Sequence, residues 1–212
     1  MSASEEIPEL SRAARRKLEL RREIIEAAFD CFAERGYHAT GIADIAARLG
    51  IGHGTFYRYF ENKRDIVEHV ITDLIEKVIA ALAAENAPDA VSTLEEYRIQ
   101  TERIGEALDR IFGEDPRVAR MLLLEAPGID KEMGDRILAF FELATSLTAS
   151  YVAHGVEFGY LPTDLDVENT ARAINGMILG SAIAAIHNPH LDQRALSTAV
   201  RRVMYDGIAG RS

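Results

Sequence analysis

The side chains richest in chemistry near the start of the chain are cations. Arg12, Arg15, Arg16, Lys17, Arg21 and Arg22 stand close together, with Glu19 the one acid among them. Such a run can meet a polyanion, and it equally describes the solvated start of a helix. A second group lies in Thr40 to Lys63, TGIADIAARLGIGHGTFYRYFENK. It offers His, Thr, Arg, Lys and Tyr side chains that can donate to phosphates and base edges. Elsewhere the reactive residues stand apart. His187 and His190 flank Asn188-Pro189, which breaks helical spacing, and no thiolate or clear carboxylate set completes a metal centre. His154 has no paired nucleophile, and Ser146 and Ser150 read as plain helix residues, so no enzyme, metal or cofactor is expected. Cys31, the one cysteine, lies between Phe29 and Phe32. It reads as a small buried hydrophobe, with a redox sensor as the alternative.

The charge distribution favours the polyanion. The 212 residues carry a net charge of −10, spread unevenly. Ser11 to Val70 holds 11 basic and 9 acidic residues, whereas residues 71–212 hold 13 and 22. An acidic body with a basic end can bind nucleic acid through that end alone. About half the residues are apolar, enough for a real core. We find no stretch of about 18 apolar residues without charge and expect no membrane span. Residues 1–10 are acidic and lack an apolar signal core. With the single cysteine, this leads us to expect a cytoplasmic protein.

The elements that must position these groups all read as helices. Sustained period-2 alternation is absent, and apolar residues recur at helical spacing. A first helix is expected over about 12–35, with Gly36 as its stop. Two short helices follow at about 42–49 and 53–59, joined at Leu49-Gly50-Ile51-Gly52, where Gly50 can turn left-handed. Asn62 and Asp65 read as the cap of a long helix to about Ala84. Further helices are expected near 91–112, 116–125, 130–158, 166–187 and 191–209, divided by Gly- and Pro-containing breaks, Pro88 among them.

Two short helices joined by a tight glycine turn form a helix-turn-helix, which places the start of its second helix in the DNA major groove. The sequence here strongly resembles the TetR family of transcriptional regulators. The resemblance rests on Asp44-Ile45-Ala46, Gly50-Ile51-Gly52, Gly54-Thr55-Phe56-Tyr57-Arg58-Tyr59-Phe60 and Asn62-Lys63. Upstream, Phe32-Ala33-Glu34-Arg35-Gly36-Tyr37 and Ala39-Thr40 match as well. It implies that His53, Gly54, Thr55, Tyr57 and Tyr59 lie on or beside the recognition helix at the DNA. It also implies that Thr40 or Gly41 starts the first motif helix beside a phosphate, and that Lys63 meets another. Phe56 and Phe60 would be core, and Arg58 would contact the DNA backbone or solvent. Gly41, Gly52 and His53 depart from residues common in the family, so the operator sequence is not inferred.

The expected fold is all-α. An N-terminal three-helix helix-turn-helix domain, residues 12–70 with the motif at 41–60, is joined by a long helix to a C-terminal ligand-binding and dimerisation domain, 71–212. The resemblance implies that the last two long helices build a homodimer, and a symmetric operator needs a two-fold protein. Gly176, Gly180 and Ala184 form a small-residue stripe, flanked by Ile183 and followed by Val200, Val203 and Met204. The intrachain core is the alternative reading of that stripe. An effector pocket would be lined by Tyr97, Ile104, Leu108, Phe112, Met121, Leu122, Phe140, Phe141, Ala144, Leu147 and Tyr151, with Glu125 facing in. The implied function is a repressor released from a palindromic double-stranded DNA operator by a small apolar or aromatic molecule. A ligand-responsive activator, an all-helical enzyme and a dimeric scaffold remain as alternatives.

Overall fold

The computed structural model describes residues 11–83, 88–188 and 190–208. Residues 1–10, Ala84, Pro189 and Ala209, all used in the reading above, lie outside the described residues. Among the described residues there are nine α-helices and no strand. They are α1 (Arg12–Arg35), α2 (Ile42–Leu49), α3 (His53–Phe56), α4 (Lys63–Ala83), α5 (Leu94–Glu114), α6 (Pro116–Arg120), α7 (Lys131–Glu157), α8 (Val167–His187) and α9 (Gln193–Ile208). The chain divides into two compact units between Val70 and Ile71.

In the first unit, Ser11 opens α1 by accepting from the Ala14 amide at 3.2 Å. The helix ends at Gly36, whose φ is 84°. Ile24, Ile25, Ala27, Ala28, Cys31 and Phe32 make its buried face. Ile45 and Ala46 of α2, Phe56 and Phe60 complete the core with Ile66, Val67 and Val70 from α4. Gly50 closes α2 in the left-handed region, φ 64° and ψ 27°, where a side chain would clash with the backbone. Asn62 Oδ1 accepts from the Asp65 amide at 2.9 Å, and Asp65 Oδ2 accepts from the Glu61 amide at 2.8 Å. This reciprocal cap sets the start of α4.

The second unit centres on Val91, Tyr97, Tyr151, Val152, Leu161, Ile174 and Met204, contributed by α5, α7, α8, α9 and the segments between them. The expected helix 116–125 is instead α6 followed by a π-helical turn, Met121–Glu125. Pro127 explains the difference. It has no amide hydrogen, and its ring crowds the carbonyl four residues back, so the last available amide, that of Ala126, reaches back five residues to Met121 O. Among the described residues one helix, α7, is long and apolar enough to cross a membrane by length and composition, with a window of mean hydropathy 1.2. In this fold α7 packs against α8 and buries Met133, Ile137, Tyr151 and Val152.

Candidate nucleic-acid interface and effector cavity

The second helix of the motif is shorter than its expected span. α3 ends at Phe56, and Tyr57–Tyr59 continue as a tight turn. The Arg58 and Tyr59 amides donate to Thr55 O and Phe56 O, three residues back. Phe60 stays beside Phe56 all the same: its amide donates to Phe56 O at 3.2 Å, and their ring centres lie 5.8 Å apart with both side chains buried. With the two phenylalanines holding the segment down, its other side faces outward. His53, Gly54 and Arg58 are exposed, Tyr57 is 55% exposed, and Thr55 and Tyr59 are half-buried. Arg58 Nη2 donates to Thr55 Oγ1 at 3.3 Å. A Cβ built on Gly52 or Gly54 would meet nothing within 4 Å. The absence of side chains there is therefore not demanded by packing within the unit.

A recess beside this surface is lined by Lys17, Arg21, Arg58 and Tyr59. Part of the α1 cation run thus meets the end of the motif, which neither segment shows alone. Arg21 is fixed against the core, its guanidinium 5.2 Å from the Phe60 ring centre and 3.1 Å from His69 Nε2.

Two flanking residues make contacts within the unit that the sequence did not show. Thr40 is 2% exposed, and its hydroxyl lies 3.0 and 2.9 Å from the Cys31 and Gly36 carbonyls. Its donor is spent on holding the end of α1, so the side chain offers nothing to a phosphate. Lys63 Nζ donates to Tyr37 O at 2.8 Å and sits 4.3 Å from the Tyr37 ring centre. It clasps the turn after α1 while keeping further N–H donors. Gly41, by contrast, is the N-cap of α2 with extended backbone. Its amide donates to Asp44 Oδ2 at 2.8 Å, and Asp44 also takes Arg35 at 2.7 Å. The Gly41 amide first, and Arg35 with it, hold the Asp44 carboxyl below the usual carboxylate range.

The second unit contains a cavity of about 190 Å³. Of the residues expected to line a pocket, it brings together Tyr97, Ile104, Leu108 and Phe112 of α5 with Ala144, Leu147 and Tyr151 of α7. The opposite wall is α8, with Ile174, Asn175 and Ile178, and α9, with Leu196, Ser197, Val200 and Arg201. Five expected residues are elsewhere. Met121 and Leu122 are buried at the π-helical turn, Glu125 sits 3.6 Å from Arg120, and Phe140 and Phe141 pair with each other just before Ala144, where the cavity wall begins on α7. Val200 and Met204, expected on the dimer face, also line the cavity. The rest of that stripe behaves otherwise. Gly176 and Gly180 are exposed with open space where a Cβ would be, Ile183 is 36% exposed and Val203 61%, while Ala184 is half-buried. His187 and His190 are exposed, and among the described residues no group of three or more His, Cys, Asp and Glu is placed to hold a metal.

Residues 24–70, the first unit with its turn and capped α4, match the family model described as bacterial regulatory proteins, tetR family. An HTH-type transcriptional repressor of Mycobacterium tuberculosis is 34% identical over 139 residues, covering 61% of this chain and 74% of the repressor. The chain belongs to the TetR family. It is thus a helix-turn-helix regulator of transcription. The fatty acid metabolism regulator protein of Bacillus subtilis is 25% identical to this TetR-family chain over 190 residues, 88% of this chain and 94% of its own. The solved structure of FadR from Bacillus subtilis in complex with stearoyl-CoA shares the fold. Its TM-score is 0.75 at 24% identity, over 88% of this chain and 98% of that one. Gly105 on α5 carried no signal in the periodic pattern, and Gly113, read as the start of a break, lies inside α5, which runs on to Glu114. In the structure a Cβ at these positions would come 3.1 Å from Arg201 Nη1 and 2.9 Å from Gln193 Oε1. They leave room for the ends of the Arg201 and Gln193 side chains at one end of the cavity.

Proposed function

We propose that this TetR-family protein is a homodimeric cytoplasmic repressor that leaves its operator when a small, mostly apolar molecule enters the 71–208 cavity. The observation that carries the DNA half is the side-chain-free Gly52 and Gly54 surface beside exposed His53, Tyr57 and Arg58, adjoining the Lys17–Arg21–Arg58 recess. Such a surface lets the backbone approach a groove closely while cations meet the flanking phosphates. His53, Thr55, Tyr57 and Tyr59 read the groove; Arg58 and Lys63 position the unit on the backbone, while the Gly41 amide is taken by Asp44. Thr40 supports the turn from inside. The apolar cavity supports an effector of low polarity, and the stearoyl-CoA in the Bacillus structure is in keeping with such a molecule. Release follows if the effector favours a protomer state whose recognition elements no longer match successive major grooves. The helix α4, whose residues belong partly to each unit, is the element through which that preference passes.

Fluorescence anisotropy with DNA from upstream of the protein's own gene tests this reading. Sequence-specific binding is expected, with a loss on the order of 100-fold or more between about 50 and about 200 mM salt, the signature of several phosphate contacts. Binding that is absent, or indifferent to sequence, overturns it.

The dimer makes a separate prediction. Gly180→Arg fills space that is open in the protomer, so the fold is expected to persist by circular dichroism. Sedimentation velocity is expected to show monomers at concentrations where the wild type is dimeric, with dimer affinity reduced by about 100-fold or more through a buried unpaired charge. An unchanged dimer would place the interface elsewhere.

A further inference from the structure

A polar seam lies in the cavity wall where α7 meets α8. Ile174, Asn175, Ile178, Ser181 and Ala182 recur at helical spacing as the α8 side of the cavity, while Gly176 and Gly180 are exposed on the other side of that helix. Thr148 stands on the matching stripe of α7, with Ala144, Leu147 and Tyr151. The two stripes are joined by one side-chain pair. Asn175 Nδ2 donates to Thr148 Oγ1 at 2.9 Å and to Ala171 O at 3.0 Å. Thr148 Oγ1 in turn donates to Ala144 O at 3.0 Å, so its one proton is spent and it accepts from Asn175.

These partners fix which way round the amide sits. Turned over, it would set Oδ1 against the Ala171 carbonyl oxygen, acceptor against acceptor. Both Nδ2 protons are therefore committed, and Oδ1 is the atom left for a bound molecule. Asn175 is half-buried, so an occupant of the cavity takes the place of water on that oxygen. Ser181, further along the same stripe, is alike: its hydroxyl donates to Met177 O at 2.8 Å and keeps lone pairs to offer. An apolar occupant strips water from these acceptors and returns nothing, and an ether or carboxylate adds acceptors to acceptors. A hydroxyl returns the lost hydrogen bond.

We propose that the effector is an apolar molecule carrying a hydroxyl, phenolic or alcoholic, that donates to Asn175 Oδ1. This rests on reading the cavity as the effector site. A cavity somewhat larger than one that takes benzene suits probes of roughly ten heavy atoms. Three probes share one frame: 4-propylphenol presents a donor, 4-propylanisole an acceptor alone and 4-propyltoluene neither. Calorimetric titration of the full chain at neutral pH, where the phenol keeps its proton, is expected to place 4-propylphenol about tenfold above each of the others. Asn175→Leu keeps a branched side chain and removes the acceptor. It is expected to lower 4-propylphenol about tenfold and to raise 4-propyltoluene about threefold, reversing their order, whereas damage to the fold would lower both. The wild-type ranking tests the proposal even if that variant does not fold. A wild type that binds 4-propylanisole or 4-propyltoluene as tightly as the phenol overturns the hydroxyl proposal while the cavity reading stands. A preference for the phenol that survives in Asn175→Leu does the same. If none of the three binds, the cavity is not the effector site and the proposal falls with it.

Discussion

Gly54→Leu is expected to weaken operator binding by about 100-fold or more while leaving the fold intact. The substituted side chain meets nothing within the protomer, and Gly54 does not have a positive φ. Leucine is the better helix former by roughly 0.5–1 kcal/mol, so stability should be unchanged or slightly raised. The cost appears only on DNA. A four-carbon side chain at the start of the recognition helix holds the backbone away from the groove at both half-sites of a dimer. Lost base contacts are worth about 1–3 kcal/mol per position, and two half-sites double the loss. Anisotropy titration and thermal unfolding on the same preparation separate the two effects. Wild-type affinity in Gly54→Leu would show that Gly54 does not face the groove.

Phe56→Ala is expected to destabilise the first unit by about 3–5 kcal/mol. Phe56 is fully buried against Phe60 and holds α3 to the core. A unit of this size buries a small fraction of its surface compared with a larger domain, so such a loss is a large part of its stability. Urea unfolding followed by circular dichroism should show an early transition for this unit, and operator binding should vanish at concentrations that saturate the wild type. The helical signal of the second unit should persist, because Phe56 lies outside its core and its cavity wall. A change below about 1 kcal/mol would mean that the turn is held by other contacts.

Much of the first unit was legible because its signals are local. Gly50 needs the left-handed conformation of a tight turn. Asn62 and Asp65 lie at the spacing of a reciprocal cap, and Ile45 and Ala46 lie on the helical period of a buried face. Each depends on residues within one or two turns. The extent of α3 was not legible, since Tyr57–Tyr59 satisfy the helical pattern, yet the Arg58 and Tyr59 amides close on carbonyls only three residues back. Thr40 was misread for a similar reason. Its hydroxyl is drawn inward by carbonyls at the end of α1, four and nine residues away.

In the second unit, periodicity marks which residues avoid water but not whether they meet atoms or a void. Met121 and Leu122 are as apolar as Leu108 and Leu147, yet the π-helical turn before Pro127 places them in solid core. Val200 and Met204 share a helix with exposed Val203 and face the other way, which depends on how α9 meets α5. Gly105 and Gly113 have no side chain to register in a hydrophobic pattern, and their purpose appears only with Arg201 and Gln193 lying across them. From sequence alone came the family, the all-helical fold and the presence of a glycine-turned helix-turn-helix near a basic segment. All of these follow from short-range patterns that the backbone reads locally. The cavity and the recess where α1 meets Arg58 were decided by the tertiary structure, because each is made of surfaces brought together from distant parts of the chain.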